Sequence, residues 1–383
     1  MKNSFVNLLD CTLRDGGYYN NWDFKSDVVN RYLQAMEAAS IDVVEIGFRS
    51  LPKPSLMGPF AFCTDDFLET FNLPEGSKIG VMVNCKEFLM NDDGPVNCVK
   101  KLFRKADDSQ IELVRLAINF NNALEAEGIA QTLKLLGYRV AINLMQSHGK
   151  TDDQYLDMGK KIAAWNALDV LYFADSLGNM IPEKIIMVCN SLKKGWNGPL
   201  GIHAHNNKNL ALINTLVATE NGVSWCDGTI TGMGRGAGNV STESLLLELN
   251  LRGKHVGDAT LLHESVEDFN SYKTIYNWGS NIYYHFASNN GIHPTFVQTL
   301  LSDCRYSKQQ ILEILKNMSK KERSSLTEKP INPSNYSLDA LNVVLKRHHD
   351  KELGTWDATG WLADREVLII GSGPSVKRYK QDI

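Results

Sequence analysis

Residues 170–206 read VLYFADSLGNMIPEKIIMVCNSLKKGWNGPLGIHAHN. Two short runs, VLYFAD (170–175) and LGIHAHN (200–206), flank a longer stretch. That stretch opens near Pro182, suited to a first helical position, and closes near Gly195, suited to a C-terminal cap. Strands that are apolar along nearly their whole length are buried on both faces, which indicates a parallel sheet with helical crossovers. The same unit recurs outward in both directions. Before it come VNLLDCT (6–12), VVEIGF (43–48), IGVMVN (79–84), LVRLAIN (113–119) and RVAINLM (139–145); after it comes CDGTITG (226–232). Between them, Ser26 and Thr151 stand where N-caps belong, with Asp27, Asp152 and Asp153 in first turns favoured by the helix dipole. Pro95 suits another helix start and Gly137 another end, while Val29, Leu33 and Met36 repeat at helical spacing. Eight strand–helix units in about 250 residues give an α/β fold, a closed (β/α)8 TIM barrel over residues 1–262. An open doubly wound sheet is the competing architecture. It needs a phosphate-binding glycine turn after the first strand, and Leu13-Arg14-Asp15-Gly16-Gly17 is a poor one.

The pattern changes after residue 262. Helical periodicity continues through Tyr272–Asn289, Pro294–Leu301, Lys308–Met318 and Leu338–Arg347, so residues 263–351 read as a helical appendage packed across one end of the barrel. Residues 352–383 read as a linker and the start of a truncated further domain. There Val367–Ile370 and Gly371-Ser372-Gly373 suggest one strand and a glycine turn. A lone strand–helix unit cannot bury its own faces; a tail strand docking elsewhere is the alternative.

The 383 residues carry a formal net charge of -4 and are 43% hydrophobic. With no basic excess to neutralise phosphates, nucleic acid is not an expected partner. No apolar run reaches the roughly 18 residues of a membrane span, and the first residues lack the pattern of a signal peptide. The seven cysteines are scattered with no CxxC pair. They read as small core residues in a reduced cytoplasm.

In a parallel barrel, chemistry sits at the C-terminal strand ends and the loops beyond them. Sorting polar residues by that rule brings forward Arg14 and Asp15 after the first strand, and Glu45 and Arg49 at the second. Arg115, Asn143, Asp175 and Ser176 follow on the fourth to sixth strands, then His203, His205 and Asn206 on the seventh and Asn239 after the eighth. His203 and His205, two apart on a strand, face the same side and can grip one ion. Asp15 lies on a neighbouring part of a closed barrel. Two imidazoles and a carboxylate leave open positions for substrate oxygens and water. Arg14 stays cationic and suits an oxygen on which negative charge develops. The glycine-rich GMGRGAGN (232–239) reads as a tight loop over the site and lacks the spacing of a dinucleotide fingerprint.

DCTLRDGG at the first strand, HAHN at the seventh and GAGN after the eighth resemble the DRE-TIM metallolyases. That family includes 3-hydroxy-3-methylglutaryl-CoA lyase, isopropylmalate and homocitrate synthases, and 4-hydroxy-2-oxovalerate aldolase. The resemblance, over residues 5–250, implies that Asp15, His203 and His205 ligate a divalent metal, with Asn239 a fourth or water-mediated ligand. It implies an enolate-stabilising role for Arg14. Claisen-type synthases have glutamate where this chain has Gly16; Arg-Asp-Gly, and Ala174-Asp175-Ser176-Leu177-Gly178, are similar to the aldolase branch. The aldolases carry a histidine three residues after the aspartate as base, and here Tyr18 stands there. Tyr18 is the expected proton-transfer group, with His148, His285 or a metal-bound water as alternatives.

The function these features imply is divalent-metal-dependent cleavage or formation of a 4-hydroxy-2-oxo acid. The products are pyruvate, through an enolate held at the metal, and an aldehyde. Glu45, Arg115, Asn143, Asp175 and Ser176 are the expected substrate-binding residues. Mn²⁺ or Mg²⁺ suits an oxygen-rich open site, and Co²⁺ or Zn²⁺ also suits the imidazoles. Two alternatives remain open: an acyl-CoA/2-oxo acid condensing synthase, and a metabolite-binding barrel without turnover that partners the C-terminal domain. Arg49–Phe62 suggests a lid or subunit contact, and barrels with helical appendages are often homodimers.

Overall fold

The computed structural model describes residues 5–53, 56–303 and 305–318, all within one compact unit. Strands β1 (Asn7–Asp10), β2 (Val43–Phe48), β3 (Lys78–Asn84), β4 (Leu113–Asn119), β5 (Arg139–Met145), β6 (Val170–Asp175), β7 (Leu200–Ala204) and β8 (Trp225–Gly228) close into a parallel barrel in sequence order. Closure is made by β1 on β8, where Leu9 registers with Asp227 and Asp10 with Gly228.

Period-two alternation splits the strands into two sets. Outward residues such as Val44, Ile46, Val114, Leu116, Ile142 and Ile202 join the core shared with the surrounding helices. Inward, Leu9, Val43, Leu113, Ala141, Val170, Tyr172 and Trp225 form a separate apolar plug inside the barrel. The next inward positions along the strands are charged: Glu45 on β2, Arg115 on β4 and Asp227 on β8, each 2% exposed or less. That ionic layer lies between the plug and the mouth.

The helices around the barrel are α1 (Thr12–Asn20), α2 (Ser26–Ala38), α3 (Asp65–Leu68), α4 (Cys85–Leu89) and α5 (Pro95–Leu102). They continue with α6 (Glu127–Leu135), α7 (Asp152–Ala163), α8 (Pro182–Gly195), α9 (Ala211–Glu220) and α10 (Thr242–Leu251). Pro95 and Pro182 open helices, and Thr151 caps α7 in a reciprocal capping box with Gln154. Gly137 follows α6 at φ +94°. Ser26 is the first residue of α2 rather than its cap; Lys25 holds the cap position without a side-chain bond. Gly195 is the last helical residue of α8, and close packing requires it. A Cβ there would stand 2.3 Å from the Leu156 carbonyl oxygen on α7.

Two strand ends differ from expectation. The DCTLRDGG segment leaves β1 after Asp10 and turns at once into α1, so Arg14 and Asp15 sit in a helix's first turns. β8 ends at Gly228, and the chain bends through Thr231 at φ 53°.

Beyond the barrel lie α11 (His263–Tyr276), α12 (Ile282–Asn289), α13 (Pro294–Ser302) and α14 (Lys308–Asn317). The single helix expected over Tyr272–Asn289 is two, broken where Asn277 adopts φ 56° and Asn281 caps the second. α11 packs on α2 through Phe269 against Tyr32, while Arg31 forks onto Asp268. The helices that follow cover the C-terminal face of the barrel. Ser280 donates to the Asn207 carbonyl, Ser288 to the Gly178 carbonyl and Trp278 Nε1 to the Thr231 carbonyl, all in loops beyond strand ends. The readings for Leu338–Arg347 and residues 352–383 lie outside the described residues.

Candidate metal centre at the barrel mouth

α1 begins as β1 ends, which carries Arg14 and Asp15 over the mouth. Gly16 and Gly17 allow the turn to sit that close. A Cβ on Gly16 would lie 2.5 Å from Met233 Sδ, and one on Gly17 would lie 2.0 Å from the Trp22 ring. Trp22 Nε1 in turn donates to the Arg14 carbonyl at 2.9 Å.

Asp15, His203 and His205 offer ligand atoms all within 4.8 Å of one another. The tautomer of each imidazole is set by what its Nδ1 meets. His205 Nδ1 lies 2.8 Å from the Asp175 carbonyl oxygen, which only accepts, so Nδ1 carries the proton and Nε2 presents a lone pair. His203 Nδ1 lies 2.8 Å from the Asp227 carboxylate, and its Nε2 faces Asp15 Oδ2 at 3.8 Å. Burial pushes the His205 imidazole down to about 4, so it is neutral at neutral pH. Burial works to raise the Asp15 carboxyl, but Arg14, His203, His205 and Arg235 hold it well below the usual carboxylate range. Asn239 completes the cluster: its Nδ2 donates to Asp15 Oδ2 at 2.5 Å, and its Oδ1 is buried without a partner. One carboxylate, two fixed imidazole lone pairs and an orphaned amide oxygen fit a divalent cation.

Arg14 is divided among three tasks. Its Nε donates to Glu45 at 2.5 Å and its Nη1 to Asp15 at 2.8 Å, while Nη2 is buried with no partner. A buried guanidinium N–H left unpaired beside a cation site is a donor held ready for an oxygen that arrives with substrate.

Beneath this layer the charges form one chain. Glu45 accepts from Arg14 and, at 3.0 Å, from Arg115; Arg115 donates at 2.6 Å to Asp227; Asp227 holds His203. Arg115 also lies 4.2 Å from the centre of the Tyr172 ring. Glu45 and Arg115, both expected to touch substrate, are fully buried and committed to this chain. The geometry gives them the job of orienting Arg14 and His203. Asp227 went unnoticed in the sequence, although it is a lone carboxylate at an inward position of a barrel strand.

The other expected residues are spread around the mouth. Asn143 is buried with its Oδ1 unpartnered. Asp175 accepts from the Asn179 and Met180 amides, and burial raises its carboxyl to about 6. Ser176 Oγ accepts from Gln146 N at 2.8 Å. Asn206 accepts from Ala211 N, and Arg49 is spent on Asp65 and the Leu102 carbonyl, away from the centre. Tyr18 is half-buried between Trp22 and Phe48, with the Arg235 guanidinium 4.1 Å from its ring centre. His285 is exposed on α12. His148 is half-buried, with an unpartnered Nδ1.

Sequence reasoning missed two further residues at the mouth. His293 reads in sequence as part of a plain interhelical loop. It caps α13, its Nδ1 accepting from Thr295 N at 3.3 Å, so Nε2 carries the proton. Burial, Arg235, His205 and His148 together push it down to about 3. It is a neutral donor, not a base. The second is Arg235, the one charged side chain of the tight glycine-rich loop over the site.

The barrel and its converging ligands define the class: a (β/α)8 barrel with a divalent-cation site at its C-terminal mouth. Residues 100–269 match the HMGL-like family. A 4-hydroxy-2-oxovalerate aldolase from Pelotomaculum thermopropionicum is 32% identical over 254 residues, covering 66% of this chain and 72% of that one. An oxaloacetate decarboxylase from Mycobacterium tuberculosis is 29% identical over 258 residues, covering 64% and 70%. The N-terminal domain of a candidate aldolase from Bacteroides vulgatus matches with a TM-score of 0.70 and 31% identity, over 80% of this chain and 99% of that domain. The chain belongs to the HMGL-like family.

Proposed function

We propose that this protein is a carbon–carbon lyase, a divalent-metal-dependent aldolase that cleaves or forms a 4-hydroxy-2-oxo acid, with pyruvate as one product. The observation that carries the reading is the gathering of ligand atoms of Asp15, His203 and His205 within 4.8 Å of one another, with an unpartnered, buried Nη2 on the Arg14 guanidinium that donates to Asp15. The curated relatives bearing the 4-hydroxy-2-oxovalerate aldolase name support it. Asp15, His203, His205 and Asn239 would hold a divalent cation, Mn²⁺ or Mg²⁺ before Co²⁺ or Zn²⁺, which would supply Lewis acidity and a template for the 2-oxo acid. Arg14 Nη2 donates to the oxygen that gains charge as the C3–C4 bond breaks. Asn143 and Ser176 orient the acid, and Tyr18 relays the proton of the 4-hydroxyl, passing its own phenolic proton to solvent as it accepts. Glu45, Arg115 and Asp227 keep Arg14 and His203 in register. The condensing-synthase alternative loses support at Gly16: Met233 occupies the space a glutamate side chain would enter. The helical region after residue 262 closes the mouth.

A second reading is decarboxylation of a 2-oxo diacid, which also leaves pyruvate enolate but needs no base at C4. Tyr18 in place of the expected histidine and the oxaloacetate decarboxylase relative favour it. Product analysis separates the two: aldehyde with pyruvate marks the aldolase, carbon dioxide the decarboxylase. The test is pyruvate release from 4-hydroxy-2-oxopentanoate by metal-loaded protein and by Arg14→Ala. The variant should lose about 10²- to 10³-fold in kcat, the scale of one lost oxyanion donor. An Arg14→Ala enzyme as fast as the parent contradicts the assignment.

A further inference from the structure

The GMGRGAGN loop carries one charged side chain, Arg235, and the structure fixes where its backbone can be. Gly236 and Gly238 adopt φ +63° and +74°. The Gly238 amide donates to the Arg235 carbonyl at 3.1 Å, and the Gly279 amide to the Gly236 carbonyl at 3.2 Å. A Cβ on Gly236 would lie 2.7 Å from the Tyr284 ring on α12. The arginine is therefore presented from a braced loop, clamped between the barrel and its helical cover.

From there the guanidinium lies over Tyr18, 4.1 Å from the ring centre. It is half-buried, and among the described residues no carboxylate stands within ion-pair distance and no side chain or carbonyl accepts from it. Its loop lies at the same mouth: a Cβ on the adjoining Gly234 would stand 2.9 Å from Asp15 Oδ2. The Asp15 carboxylate already serves Arg14 and Asn239 and belongs to the cation site. A half-buried guanidinium beside a cation site with no carboxylate of its own is an uncompensated charge, costly unless an anion meets it. In the aldolase reading the acid's own C1 carboxylate lies beside the cation and Ser176. Arg235 lies instead beside Tyr18, at the position where the 4-hydroxyl is handled, and so beside whatever C4 carries.

We propose that Arg235 binds an anionic group, a carboxylate or phosphate, on the aldehyde half of the substrate, so that this protein selects 4-hydroxy-2-oxo acids with a second negative charge. The inference rests on the aldolase reading for its orientation of substrate, and it departs from the neutral side chain of 4-hydroxy-2-oxopentanoate. Arg235 would act as a specificity-determining residue, its planar fork pairing with the anion while stacked on Tyr18.

The test needs no turnover. Calorimetric titration of Mg²⁺-loaded protein compares 2-oxoglutarate with 2-oxopentanoate, two acids of equal chain length that differ in the distal carboxylate. The parent should bind 2-oxoglutarate at least about tenfold more tightly, the scale of one charge-assisted hydrogen bond. Arg235→Gln should collapse that ratio to within about twofold, and Arg235→Lys, which keeps the charge without the fork, should retain part of it. In aldol addition to pyruvate, succinic semialdehyde should outcompete butanal in kcat/KM, again only with Arg235 present. Equal binding of both acids by the parent overturns the inference and leaves the aldolase reading standing, as does a ratio that Arg235→Gln does not change. Binding of neither acid overturns both. A preference that depends on Arg235 without any aldol chemistry supports the anion site and defeats the aldolase reading.

Discussion

Asp227→Asn is the sharpest probe of the ionic layer beneath the site. Asp227 Oδ2 accepts from His203 Nδ1 at 2.8 Å and from Arg115 Nη2 at 2.6 Å, in a place 2% exposed. The amide keeps the shape but removes the charge, and one amide oxygen is a poorer acceptor for two donors. His203 then loses the carboxylate that fixes its tautomer and orientation. Losses of this kind weaken metal affinity about 10- to 100-fold, which is about 1.4–2.7 kcal/mol. Arg115, fully buried, keeps only Glu45, and breaking one side of a buried ion pair costs about 3–5 kcal/mol of stability. Two measurements are needed because two effects are expected: calorimetric titration of Mn²⁺ into chelator-stripped protein, and urea unfolding with chelator present. Adding Arg115→Met should restore part of the stability without restoring metal affinity, since the stranded cation is gone but His203 is still unheld. Mn²⁺ affinity within twofold of the parent in Asp227→Asn would refute the claim that the barrel's ionic layer tunes the ligand.

Three further outcomes follow from the geometry. Gly17→Ala forces a methyl 2.0 Å from the Trp22 ring, so unfolding in urea should show a loss of about 1–3 kcal/mol together with weaker metal binding as α1 shifts. Tyr18→Phe should lower retro-aldol kcat by about 10²- to 10⁴-fold with little change in the affinity for pyruvate; unchanged turnover removes Tyr18 from proton transfer. Asp175, raised from 3.8 to about 6 by burial, holds its proton more tightly folded than unfolded. Stability should therefore fall as pH rises from about 4 to about 6, by about 3 kcal/mol at about 1.4 kcal/mol per pH unit. Urea melts of metal-free Asp175→Asn should lack that slope, and an identical slope contradicts the assignment.

The barrel is legible in the sequence because its strands are buried on both faces, and long apolar runs leave little choice of register. VVEIGF and VLYFAD match β2 and β6 to the residue, and Pro95, Pro182 and Thr151 mark helix starts as their chemistry dictates. His203 and His205 stand out because two imidazoles on one face interrupt an apolar strand. Harder to read is a residue whose partner is remote in sequence. Asp227 needs Arg115, 112 residues earlier, before it becomes more than one polar residue in a short strand. Gly195 looks like a helix end because the approach of α7 is not written locally. Arg235 was hidden by its glycines, which draw attention to the backbone. A lone arginine with no acidic neighbour in such a loop was the available signal. His293 comes from the helical cover, where a rule based on strand ends does not reach. The break after Tyr276 depends on Asn277 taking a left-handed conformation, which asparagine permits but does not announce.

One measurement tests the metal centre most directly: pyruvate release from a 4-hydroxy-2-oxo acid by protein stripped with chelator, then reloaded with Mn²⁺ or Mg²⁺, beside His203→Ala treated the same way. Activity that disappears on stripping, returns with metal and is absent from His203→Ala at every metal concentration is the predicted result. Release that survives both the chelator and the substitution would contradict the metal centre and the mechanism built on it.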